Sequence, residues 1–240
     1  MKQIYNRVWF ATICKENRLT ISTQILDQLE LFHSLLWEWN KKVNLISRKD
    51  ESNIWNRHFL GSLSFLFLFR IEEQSTILDL GTGGGLPGLP LAIAYPKARV
   101  ILIDSINKKF TAVKDIINKM NLTNIQIVHG RAEEVGLKPQ YKYSADYVIA
   151  RAVSSVSDII MWSTPWLRRT RKNEITLENP NEDHPLIPRG SIILLKGGNI
   201  QKEIKDANQQ LIGKKIIIKE LTFDHPGEEL MPDKKVIIIT

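Results

Sequence analysis

The stretch Asp79-Leu-Gly81-Thr82-Gly83-Gly-Gly85-Leu86-Pro-Gly88 joins one carboxylate to a run of glycines at the end of an apolar segment. Glycine has no Cβ and takes φ > 0 freely, so such a turn lets a ligand approach the main chain. A lysine-type phosphate loop needs Lys-Ser or Lys-Thr after its last glycine. Here Leu86-Pro87 interrupt the run instead, which excludes that loop. Gly83-x-Gly85-x-x-Gly88 formally matches the dinucleotide fingerprint, so a nicotinamide oxidoreductase is a rival reading. Asp79 opposes it: a pyrophosphate beside this carboxylate meets like charge, whereas a cationic ligand is attracted.

S-adenosyl-L-methionine carries a sulfonium and an ammonium. The spacing Asp79-x-Gly81-x-Gly83-x-Gly85 resembles the first motif of class I methyltransferases. Asp104 closes the next apolar run, where a carboxylate can accept hydrogen bonds from both ribose hydroxyls. Nicotinamide enzymes place an acid similarly, so Asp79 discriminates and Asp104 does not. The candidate donor-binding set is therefore Asp79, Gly81, Thr82, Gly83, Gly85, Asp104 and Ser105. Beyond the third apolar run comes Arg131-Ala132-Glu133-Glu134. Main chain there could meet the adenine and Glu133 its amino group, although acids also suit the first turn of any helix.

The fourth run ends in "IARAV". It lacks the Asn/Asp-Pro-Pro-aromatic sequence common in amino methylation. Cytosine C5 methylation needs a nearby cysteine, and the one cysteine, Cys14, lies far upstream. Ribose methylation often uses an acid where Arg151 stands, although Lys196 remains. Guanine N7 needs none of these, because its lone pair is nucleophilic and no proton leaves. Such an enzyme works by alignment. The absence of a base permits N7 without selecting it.

The elements that must hold these residues alternate. Ile25, Leu29, Phe32, Leu36 and Trp39 recur at helical steps between Ser22 and Lys42, with Ser22 or Thr23 as the cap. A second helical region follows Asp50. Strands are expected at "STILDL", "ARVILID", "NIQIVHG", "ADYVIARA" and "SIILLKG", with helices between them. "KKIIIKELTF" and "KKVIIIT" read as two final strands near enough to pair. The expected fold is a Rossmann-like α/β class I methyltransferase, a mostly parallel seven-stranded sheet with an antiparallel edge strand. Residues 1–70 read as a helical N-terminal extension and 71–240 as the donor-binding domain. The polar span from Arg168 to Arg189 reads as a mobile loop, an added RNA contact or a lid.

A formal net charge of +7 favours an anionic partner, nucleic acid being the commonest. The five histidines show no metal-ligand spacing, and one thiol builds neither a disulfide nor a zinc cluster. The apolar stretch Phe59 to Phe69 is too short for a span of roughly 20 residues. A cytoplasmic monomer with neither a signal peptide nor a membrane segment is expected.

"NRHFLGSL", "LDLGTGGGLPGLPLAIAYP", "LIDSINKK", "VHGRAEE", "IARAV" and "LLKGG" occur in this order. Together they resemble the bacterial small-subunit ribosomal RNA methyltransferase G family, also known as glucose-inhibited division protein B, from about Asn40 onward. The resemblance implies methylation of guanine N7 in 16S rRNA, on naked RNA or a small-subunit particle, with S-adenosyl-L-methionine as cofactor. It places Gly81, Leu86, Ala132, Glu133 and Arg151 at the donor, Arg151 also serving catalysis. Lys108, Arg131 and Arg151 would form a basic rim for RNA, with Lys196 as a further contact. Lys41, Lys42, Arg48 and Arg57 extend that surface, while His58 reads as a packing histidine. Gly61 departs from the family's usual aspartate. The competing readings are a methyltransferase of a small molecule or protein, and an RNA-binding module with a vestigial donor site.

Overall fold

The computed structural model describes residues 4–169, 184–221, 223–225 and 228–240. β1 (Thr76–Leu80), β2 (Arg99–Asp104), β3 (Ile125–His129), β4 (Tyr147–Arg151) and β5 (Ser191–Gly197) run parallel in the spatial order β3-β2-β1-β4-β5. β6 (Ile216–Glu220) and β9 (Lys234–Ile239) complete a seven-stranded sheet. β9 is antiparallel to both β5 and β6 and lies between them. "KKIIIKELTF" is not one strand: β6 stops at Glu220, and β7 (Phe223–His225) pairs with β8 (Glu228–Leu230) in a separate hairpin.

Alternation along the strands explains two apolar layers. Ile77, Val100, Leu102 and Ile149 face one cluster, and Leu78, Ile101, Ile103 and Val148 face the other. Successive side chains of a strand point to opposite faces, so an uninterrupted apolar run means burial on both. The first face carries α4 (Gly88–Ala94) and α5 (Asn107–Met120) together with α1 (Arg7–Glu16) and α2 (Thr23–Asn40). The second carries α6 (Ala132–Val135), α7 (Val156–Ser163) and α8 (Gln201–Asp206). Order reverses between β1 and β4, which opens a crevice at the carboxyl ends of the strands.

The N-terminal helices share the first cluster with the sheet. Phe32 stacks on Phe59 at 5.4 Å, and Trp55 meets Phe59 edge-on at 5.0 Å. Ser22 caps α2 by accepting from the Ile25 amide. The second helical region is broken into a 3-10 turn at Arg48–Asn53, a wide π turn at Ile54–Leu60, α3 (Gly61–Leu63) and a 3-10 turn at Ser64–Phe67. Such widened turns often accompany functional sites. No helix among the described residues is long and apolar enough to cross a membrane. Most of the span from Arg168 to Arg189, and with it the readings as a mobile loop, lid or RNA contact, lies outside the described residues.

Asn40 fixes how α2 leads into these turns. It is buried, and its Oδ1 accepts from the amides of Leu45 (2.8 Å) and Ile46 (2.9 Å). Its Nδ2 donates to Glu51. Asn40→Ala strands two buried amides at about 1–3 kcal/mol each, so urea unfolding is expected to show a loss of about 2–6 kcal/mol.

Candidate active site

Two clefts open at the carboxyl edge. The smaller, about 310 Å³, lies between the ends of β1, β2 and β3. Asp104 forms part of its wall. One carboxylate oxygen accepts from the Gly83 amide and the other from the Ile106 amide, both at 2.8 Å. A carboxylate has about four acceptor sites, so each oxygen keeps capacity for a ligand hydroxyl. Gly81, Ser105, Arg131, Ala132 and Glu133 also line this cleft. Gly81 has φ +70, and a Cβ on it would lie 2.7 Å from the Val153 side chain.

Asp79 holds this turn from behind. It is fully buried in mid-strand, opposite Leu102 and Ile149. Its Oδ2 accepts from the Thr82 hydroxyl (2.6 Å) and the Gly88 amide (2.8 Å), while Oδ1 has no partner among the described residues. A Cβ at Gly88 would come within 2.6 Å of that Oδ2, so the approach requires glycine. Burial pushes the Asp79 carboxyl up to about 7, against the opposing pull of the Thr82 and Gly88 hydrogen bonds.

The larger cleft, about 900 Å³, lies between the π turn, the ends of β4 and β5, and the approach to β9. Arg151 lines it, Val153 lines the smaller cleft, and Ala152 lines both. Ala152 has φ +53, a left-handed conformation that turns the chain between the two. Arg151 Nη2 donates to Nδ1 of His58 (2.7 Å), and Nη1 donates to the His58 carbonyl (3.2 Å). Because guanidinium only donates, His58 Nδ1 must accept and the ring proton sits on Nε2. Burial, reinforced by Arg151 and Arg57, drives the His58 value down to about 3. Burial also lowers Arg151, to about 10, leaving it charged at neutral pH.

A family model described as rRNA small subunit methyltransferase G matches residues 25–177. Enzymes carrying the name ribosomal RNA small subunit methyltransferase G are similar along most of their length. The one from Lachnoclostridium phytofermentans is 33% identical over 85% of this chain and 77% of its own. The one from Alkaliphilus metalliredigens is 31% identical over 93% and 95% respectively. The chain belongs to the rRNA small subunit methyltransferase G family. Among solved structures, Aeropyrum pernix fibrillarin with bound S-adenosyl-L-methionine gives a TM-score of 0.51 at 14% identity, covering 75% of this chain and 74% of that one. A predicted O-methyltransferase from Agrobacterium tumefaciens gives 0.50 at 14% identity, covering 76% and 79%. Both share the fold.

Within this family member, the structure sorts the sequence candidates by position. Gly81, Asp104, Ser105, Arg131, Ala132 and Glu133 come together on the smaller cleft. Asp79, Thr82, Gly83, Gly85 and Leu86 do not line it; Asp79 and Thr82 are buried fasteners of the turn. Asp79 thus acts on the turn and not as an exposed partner for a cation. Lys108 is exposed and lies on neither cleft, whereas its neighbour Lys109 lines the smaller one. Lys196 lines the larger cleft but is already committed, donating to the Ser154 carbonyl and pairing with Glu203 at 2.7 Å. The sequence reading missed Ile106 and Trp162 in one cleft and Met231, Lys234 and Lys235 in the other. Trp162 lies on a helix whose apolar spacing reads as core, and the last three follow a hairpin that no pattern announced.

Asp79 also sets a pH dependence. Its folded value of about 7 exceeds the ordinary 3.8, so the folded chain holds this proton more tightly than the unfolded one. Its stabilising contribution is full below pH about 4, falls as the pH rises towards 7 and is constant above. Asp79→Asn is expected to flatten that interval in urea midpoints measured from pH 4 to 8.

Proposed function

We propose that this chain transfers the methyl group of S-adenosyl-L-methionine to N7 of a guanine in 16S rRNA, as free RNA or within a small-subunit particle. The observation that carries the reading is the junction at Ala152. A cleft of mixed charge, with Asp104 and Glu133 beside Lys109 and Arg131, adjoins a larger one lined by five cations and Asp50, and Ala152 lines both. The smaller cleft suits the donor. Asp104 offers acceptors for ribose hydroxyls, Glu133 one for the adenine amino group, and Ile106, Ala132 and Trp162 supply apolar wall. When bound, S-adenosyl-L-methionine supplies an electrophilic methyl group on a positively charged sulfur.

The chain's own residues then align and enclose. Gly81 keeps the turn bare, and Asp79 stiffens it through Thr82 and Gly88. Arg151, anchored by His58, presents fixed positive charge in the larger cleft. Attack by guanine N7 removes no proton, so no base is required. The carboxylate lining that cleft, Asp50, pairs with Arg57 at 3.1 Å, and the His58 Nδ1 is taken. Neither is poised to abstract a proton, which supports N7 over an exocyclic amine. In this reading residues 1–70 are the acceptor-side extension and 71–240 the donor-binding domain.

The test is incubation of the purified protein with labelled S-adenosyl-L-methionine and undermethylated small subunits, followed by nucleoside mass spectrometry. Label is expected in 7-methylguanosine. Label in another nucleoside overturns the N7 assignment, and transfer only to a small molecule overturns the RNA assignment. Asp104→Ala should weaken donor binding by calorimetry by about tenfold, or about 1.4 kcal/mol.

A further inference from the structure

Five cations line the larger cleft: Arg57, Arg151, Lys196, Lys234 and Lys235. Three are neutralised where they stand. Arg57 pairs with Asp50 at 3.1 Å, Lys196 with Glu203 at 2.7 Å and Lys235 with Glu220 at 3.2 Å. The other two have no carboxylate partner among the described residues. Arg151 is held by the neutral His58, and Lys234 is exposed at the start of β9.

Both of these cations lie against a glycine, Lys234 without an ion pair and Arg151 within the field of Asp79 and Asp50 but bonded to neither. A Cβ on Gly197 would sit 2.9 Å from the Lys234 ammonium. A Cβ on Gly61 would sit 3.3 Å from Arg151 Nη1. A side chain at either position would displace or cover the charge. Two bare positions, contributed by the end of β5 and by α3, thus leave two cations without an ion pair uncovered on one cleft. Such charges favour an anion, and guanidinium and ammonium groups both make strong charge-assisted hydrogen bonds to phosphate.

We propose that Lys234 and Arg151 seat a phosphodiester flanking the acceptor base, with Gly197 and Gly61 kept bare to expose them. This rests on the reading of the chain as an rRNA methyltransferase. Lys234 then acts in substrate positioning: it sets affinity and register and takes no part in the methyl transfer. Lys196, although more deeply placed on the same cleft, cannot substitute, because Glu203 and the Ser154 carbonyl hold it.

The test compares full-length wild type with Lys234→Gln, Lys234→Arg and Gly197→Ala. Methyl transfer to undermethylated small subunits gives KM and kcat, and fluorescence anisotropy of a short single-stranded ribo-oligonucleotide gives affinity across a salt series. Lys234→Gln is expected to raise KM about tenfold with kcat within about twofold, and to reduce the salt slope by about 0.7, the loss of one phosphate contact on a single strand. Lys234→Arg should restore most of the affinity. Gly197→Ala, which keeps the charge but shifts it, should fall between. Lys97→Gln, which removes an exposed lysine paired with Glu73 on the opposite edge of the sheet, is the control for charge alone and should change neither readout. An unchanged KM and slope in Lys234→Gln, with an active wild type, overturns the seat and leaves the methyltransferase reading standing. A wild type that labels no rRNA overturns both. Thermal melting separates any misfolded variant, and Lys234→Arg then decides alone: it must match wild type in slope.

Discussion

A carboxyl without access to water holds the glycine turn after β1 in place. Asp79 sits in the middle of a parallel sheet, and its Oδ2 takes the Thr82 hydroxyl and the Gly88 amide. Burying such a group is costly unless hydrogen bonds replace the lost water. Burial outweighs the two bonds that Oδ2 accepts from Thr82 and Gly88, and the carboxyl is pushed up to about 7. That unfavourable placement is informative. The carboxylate ties β1, the glycine turn and the start of α4 to one point, and removing any of them loosens the wall against which a ligand rests. The requirement propagates to Gly88, where no Cβ fits beside Asp79.

A second fixed point lies across the sheet. Arg151 reaches from the end of β4 into the π turn and is gripped there by the ring and carbonyl of His58. This links the N-terminal segment to the sheet by polar contacts in addition to the shared apolar cluster. The next residue, Ala152, turns left-handed and separates the clefts by a single residue. The junction between the two clefts is therefore built from main chain.

Charge acts here through its pairing more than through its sum. A net charge of +7 describes the whole chain, yet most cations lining the larger cleft are matched by an acid. The unmatched ones decide what an anion meets at close range, because paired surface charges are largely screened. Glycine has two uses in this fold: at Gly88 it lets a buried acid approach the backbone, and at Gly61 and Gly197 it leaves a cation uncovered.

The sequence by itself determined the architecture and the glycine turn that follows β1. Apolar runs ending in turn residues fixed five parallel strands, since burial on both faces leaves no polar alternation to misread. The glycine cluster, Asp79, Asp104 and the Arg131–Glu133 stretch are contiguous in the chain, and local chemistry is legible locally. Tertiary structure decided the rest. It alone placed Asp79 and Thr82 behind the turn, turned Lys108 away and committed Lys196 to Glu203. It also brought Arg57, Gly61, Arg151, Lys234 and Lys235 to one cleft from the two ends and the middle of the chain. Which charges pair depends on distances between segments far apart in sequence, and spacing along one chain carries no record of them.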